Sequence, residues 1–212
     1  MIKSYLLMAF RNLKKHKAYS LINILGLAVG LSAAVLILLY LQFELNYDRF
    51  HQNAGRIYRV AVKSYQEGKY ARDTYVFTPP IGVDMKKDFP EVEDFIRMST
   101  QRPVYLNVNN EAYKETGMRY ASDSMFDMFS FNLISGEPKT ALAAPFSIVL
   151  SQKTAERIFG SKNPMGETIK IGPNNLYKVT GIAENPPENS SIQFTTLISF
   201  ATDPQNRHHQ ES

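Results

Sequence analysis

Apolar and polar positions fall into distinct regimes along the chain. From Tyr19 to Phe43, 25 consecutive residues carry no charge. A helix rises about 1.5 Å per residue and a bilayer's hydrocarbon core is about 30 Å thick, so about 20 residues suffice to cross it. Residues 18–43 therefore read as a transmembrane helix. Ahead of them, Ile2, Tyr5, Leu6, Ala9, Phe10 and Leu13 recur at the three- and four-residue spacing of one helical face, with the cations elsewhere around it. Residues 1–17 read as a cytoplasmic amphipathic helix lying on the membrane surface. A cleaved export signal is the rival, and Ser32-Ala33-Ala34 has the composition of its cleavage site. Cleavage there would leave VLILLYLQF as a new amino terminus, and a soluble core helix is seldom apolar on every face for so long, so the anchor is preferred.

Beyond the span the period changes. Residues 44–57 read as a linker, and alternating stretches follow it. RIYRVAVKSYQ and YARDTYVFT flank the turn EGK, and Pro79-Pro80 ends the second strand. PIGVDMKKDF predicts a short helix, and VEDFIRMST and PVYLNV predict strands. Asn109-Asn110 predicts a hairpin turn into EAYKETGMRYA. Ser122 or Asp123 is placed to cap a helix over SMFDMF, whose Phe126, Met128 and Phe129, with Phe131 beyond, are core candidates. FSIVLS predicts a buried strand, Ser151 and Gly160 bound a helix over QKTAERIF, and ETIKI–GPNN–LYKVTGIAEN predicts a hairpin. FTTLISF predicts a last strand. The result is an α+β class chain: one transmembrane helix preceded by an amphipathic helix, then a mixed α/β domain over 58–200 and a polar tail over 201–212.

Charge adds an orientation. Lys3, Arg11, Lys14, Lys15 and Lys17 precede the span with no acid among them, and the remaining 19 Lys/Arg face 20 Asp/Glu, a net −1. Cations mark the cytoplasmic flank, so residues 44–212 are expected outside the cytoplasm, in a bacterium the periplasm. The basic excess is a flank, with no stripe of the kind that tracks nucleic acid. Gly26 and Gly30 form a GxxxG row continued by Ala34, the pattern that lets membrane helices approach closely. Cysteine is absent, which excludes disulfides and thiolate chemistry. The chain has no phosphate-cradling GxxxxGK[ST], no GxGxxG and no GxSxG, and its four histidines are spread over both sides of the span. Neither a catalytic site, a metal site nor a cofactor is expected. Asp48 and His51, close in sequence after the span, read as capping or solvating a turn.

FRNLKKHKAYSLINILGLAVGL followed by YDRFHQNAGRIYRV resembles the start of FtsX-like, MacB-type ABC transporter permeases. The resemblance continues through SMFDMFSFNLISGEP, SIVLSQKTAERIFGSKNPMGETIKI and YKVTGIAENPPENSSIQF, in the order and spacing of that family's periplasmic core domain. It implies an inner-membrane subunit, not itself an enzyme, whose partner is a cytoplasmic ABC ATPase subunit. It also implies dimerisation with a like or a different permease and, in some members, a periplasmic adaptor or outer-membrane channel. Such permeases carry further spans after the domain, so these 212 residues are expected to be the front portion of a longer protein or a truncated copy. The other reading from the residues is a single-span anchored binding, sensor or adaptor module. Gly136, Gly166 and Gly181 are expected at turns or, for Gly181, at a bulge or close backbone contact.

Overall fold

The computed structural model describes residues 2–74 and 80–203, which divide into two units, 1–47 and 48–212. The end of the expected strand YARDTYVFT and most of the polar tail lie outside the described residues. The first unit consists of α1 (Ile2–Lys15) and α2 (Lys17–Leu45), separated at His16. All of α2 but the half-buried Ser20 is exposed, including a nearly continuous run of Leu, Ile and Val. A helix that is apolar all round and covered by nothing in water is suited to lipid.

The second unit opens with a ribbon of β1 (Val62–Gln66) and β2 (Lys69–Thr74), joined by Glu67 and Gly68, both at positive φ. Two successive positive-φ residues make the turn whose twist matches a hairpin. The ribbon pairs with no other strand among the described residues, and it starts later than its alternating sequence predicts. α3 (Pro80–Asp88) begins on the second proline of the pair, where the missing N–H costs nothing. Gly82 lets the helix approach the Phe95 ring, which a Cβ at that position would meet at 2.3 Å.

The predicted strand VEDFIRMST does not form. Residues 92–100 meet the strand Glu111–Ala121 only at an isolated bridge, Met98 to Ala121, and by two backbone bonds, Ser99 N–H to Tyr120 O and Ser122 N–H to Arg97 O. Beyond them, β3 (Arg102–Val108) slips register between Arg102 and Val104 against that strand, β4 (Glu111–Ala121), at Pro103, which has no donor to give. Asn109 and Asn110, at φ 51° and 67°, form the predicted hairpin turn between β3 and β4.

Next come α4 (Met125–Met128), β5 (Leu133–Ser135), β6 (Ser147–Ser151), α5 (Gln152–Phe159), β7 (Thr168–Ile171), β8 (Asn175–Ala183) and β9 (Thr196–Ser199). Neither Ser122 nor Asp123 caps α4. Its N-cap is Ser124, with no side-chain cap bond, because Ser122 Oγ accepts from Arg97 N–H and Asp123 Oδ1 from Ser124 N–H. α5 follows expectation: Ser151 Oγ accepts from Thr154 N–H, and Gly160 at φ 59° ends the helix.

The strands lie in the order β5-β8-β6-β9-β4-β3-β7, and β7 also pairs with β8, so six of them close on themselves. Pairing is mixed. β6–β8 and β4–β9 are parallel, and the other pairs are antiparallel. β6 and β9 are buried on both faces. Ile148, Leu150 and Ile198 join Leu106, Val108, Tyr120, Ile169, Tyr177 and Val179, covered by Ala155 and Ile158 of α5. Val149 and Leu197 face the other way, into Met125, Phe126, Phe131, Leu142, Ala183 and Phe194. The alternation of a strand thus serves two cores at once.

β8 is bent to fit this closure. Its register against β6 skips one residue between Val179 and Gly181, a bulge at Thr180. The Thr180 hydroxyl hydrogen-bonds the Ala141 carbonyl at 2.6 Å and lies 3.2 Å from the Ile148 carbonyl. Gly136, at φ 101°, touches this bulge so closely that a Cβ there would lie 2.5 Å from Thr180 O. The bulge and the close backbone contact expected at Gly181 are therefore both present.

Candidate functional site

In the first unit, the candidate residues lie on the two helices. Gly26, Gly30 and Ala34 are at i, i+4 and i+8 of α2, on one face, with nothing within 4 Å of either glycine's Cβ position. That face is open for a backbone to approach. Ser32, between them, donates its hydroxyl to Ala28 O at 2.7 Å, which satisfies it within the helix. Of the basic residues, Arg11, Lys14 and Lys15 lie on α1 and Lys17 opens α2, all exposed, and Lys3 lies in the first turns of α1. A shallow hollow of about 280 Å³ at the elbow is lined by Leu13, Lys14, Lys17, Ser20, Leu21 and Ile24.

In the second unit, the residues that follow the helix are built into the domain. Asp48, at φ 57°, donates its N–H to Asn189 O at 2.9 Å and accepts Ser191 N–H on Oδ1 at 2.8 Å. His51 is 5% exposed. Its Nδ1 accepts Ser130 N–H at 3.1 Å, and Gln52 N–H donates to Ser130 Oγ at 2.8 Å. The imidazole stacks in an aromatic nest, with ring centroids 3.9 Å from Phe50, 5.0 Å from Phe129 and 5.1 Å from Phe131. Phe131 in turn packs on Phe194 at 5.2 Å.

An Nδ1 that accepts leaves the proton on Nε2, and Nε2 is buried with no hydrogen-bond partner among the described residues. Burial accordingly holds the His51 pKa below its ordinary value, against a smaller upward pull from Asp48. The expectation that Asp48 and His51 merely cap or solvate a turn is corrected here. Asp48 holds a loop 143 residues away, and His51 is core. The sequence signal was the pairing of Phe50-His51 with the Phe-rich stretch 126–131, which carries no local spacing rule.

Other polar groups in the domain are committed to structure. Arg97 lies over the Phe200 ring at 4.6 Å and the Phe95 ring at 5.8 Å. Arg119 donates to Ser99 O at 2.8 Å and Gln193 O at 2.9 Å. A polar hollow of about 460 Å³ lies at the hairpin turns, lined by Asn107, Asn109, Asn110, Lys170 and Gly172. Among the described residues no group of three or more acidic or histidine side chains is disposed to hold a metal.

A lipid-suited helix followed in the chain by a closed mixed sheet is the make-up of a membrane-anchored protein. The match is to the MacB-like periplasmic core domain over residues 20–211, and the chain belongs to that family. The match supports an FtsX/MacB-like permease. In solved structures, a domain of a candidate permease protein from Porphyromonas gingivalis superposes with TM-score 0.53 at 22% identity, covering 61% of this chain and 60% of that one. The likeness shows the fold, and the chain spans about 60% of that structure's length. The extracellular domain of the noncanonic ABC-type transporter YknZ from Gram-positive bacteria gives 0.47 at 16% identity, covering 64% and 67%. The periplasmic region of MacB from Actinobacillus actinomycetemcomitans gives 0.40 at 17%, covering 54% and 53%. No curated protein matches the sequence.

Proposed function

We propose that the chain is the amino-terminal portion of the membrane subunit of a bacterial ABC transporter, and that its domain couples ATP hydrolysis on a cytoplasmic partner to export or to mechanical work in the periplasm. The observation that carries this reading is the family match over residues 20–211, from within α2 through the closed sheet. α1 then lies on the inner leaflet with Lys3, Arg11, Lys14, Lys15 and Lys17 at anionic headgroups, each worth about 1 kcal/mol near such a surface. The Gly26–Gly30–Ala34 face packs on another membrane helix, in a like or different permease subunit. A periplasmic adaptor or channel is a further partner in this scheme.

Affinity purification of the intact gene product from native membranes tests it. An ABC ATPase is expected to co-purify. If none does, and deletion of the candidate ATPase leaves the phenotype intact, the chain is an anchored binding module instead. These 212 residues hold no cysteine, so none of them competes with an introduced one. Glu188→Cys, at an exposed position, is expected to react with an impermeant reagent once the outer membrane is permeabilised, and Ser4→Cys is not. The reverse pattern would overturn the orientation.

A further inference from the structure

The two helices of the first unit meet at a break in the backbone. α1 ends at Lys15 and α2 begins at Lys17, with His16 at φ −115° and ψ 58° between them, outside the helical region. The hollow of about 280 Å³ lies at this break, with Leu13 and Lys14 on the α1 side and Lys17, Ser20, Leu21 and Ile24 on the α2 side. The four α2 residues stand at i, i+3, i+4 and i+7, the spacing of one helical face. At 3.6 residues per turn, that face lies roughly 130° round α2 from the Gly26–Gly30–Ala34 row. A helix packed on the glycine row therefore leaves the hollow to whatever else surrounds the span.

The lining changes character along the axis of α2. Lys17 to Ile24 covers about 10 Å at about 1.5 Å per residue. A bilayer about 40–45 Å thick with a hydrocarbon core of about 30 Å has a headgroup layer of about 5–7 Å on each side. Lys17 and Ser20 thus fall at headgroup depth when the charge-free stretch spans the core, and Leu21 and Ile24 fall where acyl chains begin. Cations and a hydroxyl where a lipid phosphate sits, and branched alkyl groups where its chains start, complement an anionic phospholipid end for end. No carboxylate opposes it, since the first acid in the chain is Glu44. A free phosphate would meet the lysines but leave Leu13, Leu21 and Ile24 uncovered. At about 30 Å³ per water, the hollow has room for about nine waters, the scale of a headgroup and not of a packed helix.

We propose that the elbow between α1 and α2 is a binding site for one anionic phospholipid, its phosphate held by Lys14, Lys17 and the Ser20 hydroxyl and its chains laid against Leu21 and Ile24. The inference rests on the reading that α2 spans a membrane with α1 at its surface, and needs no transport. It singles out two of the five flanking cations. Lys14 and Lys17 recognise a particular lipid, whereas Lys3 and Arg11 contribute only to the general attraction of a basic surface for anionic headgroups. A bound lipid would also fill the break at His16 and fix how α1 leaves α2.

The test uses the intact gene product purified from membranes in dodecyl maltoside, where no anionic surface remains to attract the flank as a whole. Native mass spectrometry measures binding of phosphatidylglycerol and of phosphatidylethanolamine with the same acyl chains. Phosphatidylglycerol should bind the native chain at least about fivefold more tightly. Lys14→Gln/Lys17→Gln should shrink that preference to within about twofold, while Lys3→Gln/Arg11→Gln, which removes the same charge away from the hollow, should leave it intact. Lys14→Arg/Lys17→Arg should keep the preference. Ile24→Trp keeps every charge but fills the apolar end, and should weaken phosphatidylglycerol binding at least about threefold. Equal losses in the two glutamine pairs would mean a diffuse basic surface and overturn the site, as would equal binding of the two lipids by the native chain. Inorganic phosphate in large excess should not displace the lipid, and displacement would assign the lysines to a soluble anion instead. Alkaline carbonate extraction of the same membranes keeps the two readings apart. A chain released to the supernatant overturns the anchor and the site with it, whereas a retained chain without the lipid preference overturns the site alone.

Discussion

Glu115 sits inside the closed sheet with its side chain 3% exposed, and Arg157, near the end of α5, reaches it with a side chain that is 48% exposed. Arg157→Met keeps the aliphatic stem but removes the cation, stranding a buried carboxylate. Breaking a buried pair from one side costs about 3–5 kcal/mol, because the remaining charge has neither water nor a partner. Arg157 is half in solvent, so water will partly replace it, and the lower end of that range, about 3 kcal/mol, is expected. For a domain of this size each kcal/mol moves the melting midpoint by about 2–4 °C, so a drop of about 6–12 °C should appear. Urea unfolding of the full chain, followed by tyrosine fluorescence, gives the free energy directly. The pairing has a signature beyond the loss. Adding Glu115→Gln to Arg157→Met removes the stranded charge and should recover at least about 1 kcal/mol, a non-additivity that distant sites do not show. If Arg157→Met changes stability by less than about 0.5 kcal/mol, or the double variant is simply additive, the buried pair is not what holds α5 to the sheet.

Three further outcomes follow from the same geometry. Gly136→Ala places a Cβ 2.5 Å from Thr180 O at φ 101°, so strain of about 1–3 kcal/mol adds to a comparable cost of overpacking, and a melting point lowered by less than about 4 °C would contradict the close approach. Ser151→Ala removes the side-chain acceptor of Thr154 N–H and should cost about 1 kcal/mol in urea unfolding, with an unchanged value showing that water caps the helix equally well. The depressed pKa of His51 favours the neutral ring in the folded state. Its contribution is therefore complete above the unfolded value of about 6.5 and is lost as pH falls through the lower folded value. Stability of the native chain should decline from pH 7 to pH 5 more steeply than that of His51→Asn, and parallel profiles would remove His51 from the account.

What could be read along the chain was local. Tyr19–Phe43 needs only its length and lack of charge to be an apolar helix. Asn109-Asn110, the GPNN turn, Ser151 and Gly160 act on backbone within a few residues of themselves, and each does what its chemistry dictates. Two local readings failed. VEDFIRMST reads like a strand, but it meets β4 only through the Met98–Ala121 bridge and the backbone bonds beside it. Ser122 and Asp123 have the side chains of helix caps, but Arg97 N–H claims the first and Ser124 N–H the second.

The sequence by itself determined the anchor, its basic flank, the order of the elements and the family to which they are similar, because those depend on periodicity, charge and turn chemistry within short windows. Only the tertiary structure decided that β7 would close the sheet onto β8, that β4–β9 and β6–β8 would run parallel, and that His51 would be core where a linker was expected. Those outcomes are choices among partners up to 143 residues apart. A strand's alternation says which side chains face inward, but not which other strand will cover them. That is settled only when the two apolar cores, the proline slip on β3 and the bulge at Thr180 are satisfied together.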